Sequence, residues 1–314
     1  MSYIEDKETL LKAKVIPQTK REDFEAFWQK AVADMRAVPL TYTRDKIDTP
    51  YDKTFTTYKI VYNTHDNTHV VALFSCPNHA QGPLPCVVHF HGGSMKKKLW
   101  PDILATGVCC FDIDVRSQGG ETVDKADYST NFNGGLMTLG VLDKNEFYMK
   151  NIYLDAVRAV DVAAELPEVD ATRIVTYGGS QGGALSITAS ALSGKSIKCY
   201  TNETSYCCIH RRIDLGTRIF APTRDFLKAY PQYTDTVMET VSYFDVNNIV
   251  SLLKIPTAFC LGLADDVCLP EFVYSAYTHA TCEKELMSVP FATHMTVPAF
   301  HDFVCYELAK LAYR

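Results

Sequence analysis

The chain has 314 residues, a net charge of −6, 47% hydrophobic residues and 22% charged residues. This composition is ordinary for a folded globular protein and excludes a largely disordered chain. The one dense basic run is Lys96-Lys97-Lys98. Three lysines in a loop are typical of a solvated surface and too few for a phosphate-binding face, so we expect no nucleic-acid binding.

Targeting signals and cysteine usage indicate the compartment. No apolar stretch reaches the roughly 18 to 20 residues that a membrane span needs. Acids (Glu5 and Asp6) stand where a signal peptide would have a basic region. The cysteines number 11, which is odd, and no C-x-x-C spacing occurs among them. We therefore expect a cytoplasmic protein with reduced, buried thiols and no zinc site.

The N-terminal part, to about Leu40, has the periodicity of an amphipathic helix. Its apolar residues recur at spacings of three and four: Phe24, Phe27, Trp28, Val32 and Met35. Two β-rich segments, 56–62 and 68–74, flank the polar residues His65-Asp66-Asn67 and predict a hairpin.

From Pro85 onward, short apolar runs alternate with helical patterns. The predicted strands are 87–90, 108–111, 174–177, 257–261 and 286–291, and helical faces lie at 153–164 and 300–308. Continuous apolar strands alternating with helices indicate a mostly parallel sheet covered on both faces, the α/β class, with its chemistry beyond the carboxyl ends of the strands. We expect one domain over 1–314: an N-terminal extension with the first strands (1–80) and a catalytic core (81–314).

A nucleophile motif follows one of these strands. Gly178-Gly179-Ser180-Gln181-Gly182 matches G-x-S-x-G and precedes a helix of small residues. This strand–turn–helix context is typical of a strained elbow that exposes a serine, with glycines where the turn leaves no room for side chains. The pattern predicts Ser180 as nucleophile and the Gln181 N–H, at a helix N-terminus, as an oxyanion donor.

A second oxyanion donor is expected in the loop after an earlier strand. His91-Gly92-Gly93 is similar to the H-G-G type of oxyanion loop, which points to the backbone N–H of Gly93.

A serine hydroxyl needs a histidine base and an orienting carboxylate, which follow the serine in the order acid, then histidine. His294, after the last predicted strand, fits this order better than His279 and His301, which lie in helical patterns. Asp265 and Asp266 both follow the preceding strand, and spacing alone does not separate them.

A further acid, Asp245, is a weaker candidate. Its context, Phe244-Asp245-Val246-Asn247, predicts a turn or a helix cap instead.

At these residues the sequence resembles the acetyl xylan esterase and cephalosporin C deacetylase family of α/β-hydrolases. The likeness covers nearly the whole chain and is carried by 23–28, 88–92, 116–118, 154–159, 167–170, 178–183, 262–265 and 293–300. The match of Gly262-Leu263-Ala264-Asp265 to the family's Gly-Leu-x-Asp selects Asp265 as the acid.

The resemblance implies a cytoplasmic esterase that removes acetyl or other small acyl groups from acetylated sugars or similar small esters. It also implies a homo-oligomer, a hexamer whose active sites face an internal chamber. The chemistry requires no metal or organic cofactor. Arg116, Gln118 and His91 are expected to support the oxyanion loop.

The sequence departs from the family at three positions. Gly93 stands where the family usually has Tyr, Ser117 where it has Gly, and Met295 where it has Glu. None of these changes removes a catalytic atom, but Gly93 predicts a roomier acyl pocket. The alternatives are a peptidase, amidase or thioesterase on the same fold, and, from another class, a binding protein without catalysis.

Overall fold

The computed structural model describes residues 2–313. Its strands are β1 (Tyr42–Ile47), β2 (Phe55–Asn63), β3 (His69–Pro77), β4 (Leu84–Phe90), β5 (Cys109–Ile113), β6 (Val169–Gly179), β7 (Ser196–Asn202), β8 (Thr257–Gly262) and β9 (Lys284–Val289). They form one sheet in the order β1-β2-β3-β5-β4-β6-β7-β8-β9.

The sheet is antiparallel at one side and parallel through the rest. β1, β2, β3 and β5 pair antiparallel, and from β5 to β9 every neighbouring pair is parallel. The predicted hairpin is confirmed, because β2 pairs with β3 and sets Tyr62 opposite Val70. The sequence patterns did not indicate β1 or β7.

The helices cover both faces of this sheet. They are α1 (Tyr3–Lys12), α2 (Phe24–Ala37), α3 (Pro101–Leu104), α4 (Tyr148–Glu165), α5 (Gln181–Ser193), α6 (Ile209–Leu215), α7 (Ala221–Ala229), α8 (Thr234–Ser242), α9 (Val246–Ile249), α10 (Pro270–His279) and α11 (Pro298–Ala312). No helix within residues 2–313 is long and apolar enough to cross a membrane.

Two hydrophobic cores lie on opposite faces of the sheet. Val88 and the apolar sides of α2, α4 and α5 belong to the larger core. Val87, the next residue along β4, belongs to the other core with α3 and α11. Successive side chains of a strand point to opposite faces, so an unbroken apolar strand needs cover on both sides. The predicted α/β class is confirmed.

All 11 cysteines are free, and nine of them are buried, as predicted.

The expectation of a solvated lysine loop is wrong for Lys97. Its Nζ lies 2.7 Å from Asp114 Oδ2 and 2.6 Å from Glu121 Oε1, and its side chain is only 8% exposed, because two carboxylates draw the ammonium inward.

The parallel strands bring polar residues to one edge of the sheet. β4, β6 and β7 are followed directly by His91, Ser180 and Glu203, and Asp265 and His294 lie in the loops after β8 and β9. Parallel neighbours end on the same side, so these residues can meet although they are far apart in sequence.

Candidate active site

Ser180 occupies a strained turn between β6 and α5. Its backbone has φ 55° and ψ −120°, a conformation that side chains rarely adopt. A Cβ at Gly178 would lie 2.6 Å from the Phe90 carbonyl oxygen, and a Cβ at Gly182 would collide with the same oxygen. Both glycines are therefore required for the turn to fit against β4, and the turn presents the serine hydroxyl at the sheet edge.

His294 links Ser180 to Asp265. Its Nε2 lies 3.1 Å from Ser180 Oγ, and its Nδ1 lies 2.9 Å from Asp265 Oδ2. Asp265 is buried, and its Oδ1 accepts the N–H groups of Val267 at 2.8 Å and Cys268 at 2.9 Å, which fixes the carboxylate. The hydrogen bond to Asp265 raises the pKa of His294 above its usual 6.5, because the carboxylate favours the imidazolium.

The competing histidines lie elsewhere. The His279 ring contacts the Ile16 carbonyl oxygen, and His301 lies between Asp102 and Tyr177. Neither is hydrogen-bonded to Ser180, so the structure brings only His294 to the predicted nucleophile.

The two other candidate acids, Asp266 and Asp245, are not hydrogen-bonded to His294. Asp266 is exposed, whereas Asp245 caps α9 by accepting the Asn247 N–H at 2.9 Å, as its sequence context predicts. The structure therefore brings Asp265 alone of these three acids to His294.

The predicted oxyanion donors line the same cavity as Ser180. Within residues 2–313, neither the Gly93 nor the Gln181 backbone N–H has a hydrogen-bond partner. His91 holds the Gly93 loop: its Nε2 accepts the Val115 N–H at 3.0 Å, so Nδ1 carries the proton and donates to the Gly92 carbonyl at 2.7 Å. Burial lowers the pKa of His91, which keeps this neutral form.

Gln118 connects the two segments that carry these donors. Its Nε2 donates to Gln181 Oε1 at 2.7 Å, and its Oε1 accepts from Gln181 Nε2 at 3.0 Å and from the Ser94 N–H at 3.0 Å. This pair of side-chain amides joins the Gly93 loop to the start of α5.

Arg116 supports the site only indirectly. Its buried guanidinium pairs with Asp155 at 2.7 Å, Asp66 at 2.5 Å and Asp124 at 3.0 Å and does not contact the oxyanion loop, contrary to its predicted position. The backbone carbonyl of Arg116 accepts a hydrogen bond from Tyr148 Oη at 2.7 Å. Tyr148 Oη in turn accepts a hydrogen bond from Gln118 Nε2 at 3.1 Å. Through Asp66 and Asp155, the Arg116 side chain instead joins the β2–β3 hairpin to α4.

The residues after Arg116 include one family departure. Ser117 adopts φ 58°, a left-handed conformation that the family's glycine reaches at no steric cost.

The cavity above Ser180 has a volume of about 600 Å³ and is lined by Gly93, Gln181 and His294. A Cβ at Gly93 would find no atom within 4 Å, apart from its two chain neighbours, so a side chain can begin there without displacing another residue. The φ of Gly93 lies outside the left-handed region, so larger residues can adopt its backbone conformation.

Two residues of the site were not found from the sequence. Cys268 Sγ lies 4.0 Å from Ser180 Oγ, and Glu203 Oε2 lies 3.6 Å from His294 Nδ1. Glu203 could have been found, since it follows a strand end as Ser180 does, but β7 itself was not predicted. For Cys268 the sequence carried no signal beyond its place near Asp265.

One group of possible metal-ligating side chains occurs in the described chain. Ligand atoms of Asp265, Cys268 and His294 lie within 4.8 Å of one another. Two of these side chains are already bonded to each other, and His294 also reaches Ser180. The absence of a metal or cofactor stays a prediction.

Fold and site together define the class. A mostly parallel sheet that carries a strand–serine–helix elbow, with an acid and a histidine beyond later strands, is an α/β-hydrolase. Residues 8–310 match the acetyl xylan esterase (AXE1) family, and the chain belongs to this family. The predicted family is thereby confirmed.

Individual relatives agree with this assignment. The structure is similar to an acetyl xylan esterase from Paenibacillus sp. R4, with a TM-score of 0.90, 30% identity and 99% of each chain covered. It is also similar to acetyl xylan esterase 1 from a Thermoanaerobacterium species, with a TM-score of 0.89, 25% identity and the same 99% coverage of each chain. The acetyl esterase Axe7A of Xylanibacter ruminicola is 26% identical over 289 residues, which are 89% of this chain and 65% of that relative's length.

Proposed function

We propose that the protein is a serine esterase that removes acetyl and other small acyl groups from acetylated sugars or similar small esters. The observation that carries the proposal is the continuous hydrogen-bonded series from Ser180 Oγ through His294 to Asp265, which opens into a cavity. Family membership and the names of the relatives support an acetyl ester as the substrate.

The mechanism follows from this geometry. Ser180 Oγ attacks the acyl carbonyl carbon while His294 Nε2 takes the hydroxyl proton, and Asp265 stabilises the resulting imidazolium. The Gly93 and Gln181 N–H groups hold the oxyanion. His294 then gives its proton to the leaving alcohol, and a water molecule, deprotonated by the same histidine, releases the acid and restores Ser180.

The decisive assay compares leaving groups. A chromogenic acetyl ester should be hydrolysed and a peptide anilide should not, with an acetyl thioester of the same acyl group assayed alongside. Preferred cleavage of the anilide would identify a peptidase or amidase, and preferred cleavage of the thioester a thioesterase. Cavity binding without turnover of any of the three would indicate a binding protein. A screen of acetylated saccharides, cephalosporin C and simple acyl esters then identifies the alcohol part of the ester substrate.

The space beside Gly93 leads to a prediction about acyl length. Each methylene buried in an apolar pocket contributes about 0.8 kcal/mol, roughly fourfold in affinity. With no atom within 4 Å of a Cβ built at Gly93, apart from its two chain neighbours, propionyl and butyryl esters should be hydrolysed with kcat/KM comparable to that for acetyl. The measurement is kcat/KM across a series of esters that share one alcohol.

Two variants test whether Gly93 is the cause. Gly93→Tyr fills the space while keeping the backbone N–H, so it should restore preference for acetyl and retain activity. Gly93→Ala is the matched control, since one methyl group leaves most of the space open. A steep fall from acetyl to butyryl in the wild type would mean that the pocket is closed by other residues.

The assembly and location are further parts of the proposal. We propose a homohexamer, on the family resemblance alone, and light scattering on the purified protein should give a particle six times the mass of one chain. A particle with the mass of one chain would exclude a closed chamber and admit larger, polymeric substrates. A cytoplasmic location is supported by the 11 free cysteines.

A further inference from the structure

A second carboxylate, Glu203, lies beside the imidazole of His294. It follows β7 directly, and β7 pairs in parallel with β8, which leads to Asp265. Asp265 Oδ2 lies 2.9 Å and Glu203 Oε2 3.6 Å from the same nitrogen, His294 Nδ1. Two acids from neighbouring strands therefore approach one face of the proposed base.

Glu203 and its neighbour also hold the backbone that follows His294. Glu203 Oε2 accepts the Met295 N–H at 2.8 Å, and Asn202 Nδ2 donates to the Met295 carbonyl at 3.2 Å. The Glu203 N–H donates to the Cys260 carbonyl at 2.9 Å, which anchors this clamp to β8. The φ of Glu203 is 47°, a left-handed conformation that these contacts maintain.

The environment of Glu203 favours its neutral form. The residue is only 2% exposed, and within residues 2–313 its Oε1 has no hydrogen-bond partner and no lysine or arginine pairs with it. Burial, and then the charge of Asp265, raise the pKa of Glu203 to about 8, against opposing contributions from the Met295 N–H and His294. The other titratable group facing it is the buried Cys260 thiol on β8.

We propose that Glu203 is a positioning residue for His294. In its neutral form it holds the His294–Met295 backbone, and when it loses its proton it places a second negative charge beside the imidazole. The catalytic part of this inference rests on the proposed esterase function, whereas the location and titration of Glu203 do not.

The first experiment needs no substrate. An acid that titrates near pH 8 in the folded state and near 4.5 in the unfolded state makes the protein less stable as pH rises through that window. Glu203→Gln removes the titration, so its Tm relative to wild type should increase by several degrees between pH 5 and pH 9. Asp266→Asn is the control: it removes one charge nearby but exposed, and its Tm difference should stay constant. A constant difference for Glu203→Gln as well would overturn the proposal.

The second experiment separates positioning from simple stability. Two unit charges 3.6 Å apart shift each other's titration by about one pH unit even at the dielectric constant of water. This interaction appears only where Glu203 is ionised, so the wild-type kcat/KM profile should show a step near pH 8. Glu203→Gln keeps the acceptor oxygen but cannot ionise, and its profile should lack this step. Asp266→Asn should keep the step near pH 8.

A third variant tests the clamp. Glu203→Leu keeps most of the volume but removes the acceptor for the Met295 N–H, so kcat should fall at least tenfold with a smaller change in KM. If Glu203→Leu and Glu203→Gln were equally active and the step near pH 8 persisted in Glu203→Gln, Glu203 would have no role in positioning His294. If the wild type hydrolysed no ester, the proposed function would fail while the Tm series still decided the state of Glu203.

Discussion

Replacing Ser180 with alanine is expected to lower kcat by about a million-fold, the loss that removal of the nucleophile causes in a serine protease. The hydroxyl is the atom that bonds to the acyl carbon, and no other hydroxyl lies within hydrogen-bond distance of His294 Nε2 in the described chain. The fold should be unaffected, because alanine keeps the Cβ and the Ser180 N–H still donates to Asn202. Turnover of an acetyl ester per mole of protein, with circular dichroism for the fold, measures both.

A matched control uses another serine that lines the cavity. Ser94→Ala removes an exposed hydroxyl from the oxyanion loop but leaves the Ser94 N–H bonded to Gln118, so activity should change little. Retention of more than a few per cent of turnover in Ser180→Ala would mean that another group is the nucleophile. His294→Ala should be nearly as damaging, since it removes the base.

Asp265→Asn is expected to lower kcat by about ten-thousand-fold, as in the corresponding trypsin variant. Asp265 Oδ2 accepts the proton of His294 Nδ1, which leaves Nε2 free to accept the serine proton. An amide at this position donates to Nδ1 instead and stabilises the wrong tautomer. The amide also weakens the bonds from the Val267 and Cys268 N–H groups.

Asp266→Asn provides the comparison within the same loop. Its side chain is exposed and no hydrogen bond joins it to His294 in the described chain, so kcat should remain within a few-fold of wild type. Equal and small losses in the two variants would move the acid elsewhere. Glu203 would then be tested before Asp245, because only Glu203 lies beside the imidazole.

The sequence by itself determined the parts of this protein that depend on local structure. The elbow at Ser180 needs a strand, two glycines and a helix within a short stretch, and all of them are visible in the residues from Ile174 to Ala189. The continuous apolar runs of the strands indicated cover on both faces, because a strand with one wet face would alternate. His294 followed from chain order.

Tertiary structure decided which of two adjacent acids meets the histidine. Asp265 and Asp266 are neighbours with the same chemistry, and spacing did not separate them until the family resemblance was used. In the fold the Asp265 side chain points to His294, and the Asp266 side chain points to solvent. This difference depends on the loop after β8, where the Val267 and Cys268 N–H groups donate to the Asp265 carboxylate.

Contacts between distant segments were also beyond the sequence patterns. Glu203 lies beside His294 only because β7 pairs with β8, and strand pairing is set by packing over the whole sheet rather than by any short segment. In the same way, Arg116 pairs with Asp66 and Asp155, and Lys97 pairs with Asp114. A buried charge is stable only beside an opposite charge, and the tertiary structure determines which carboxylates lie near enough.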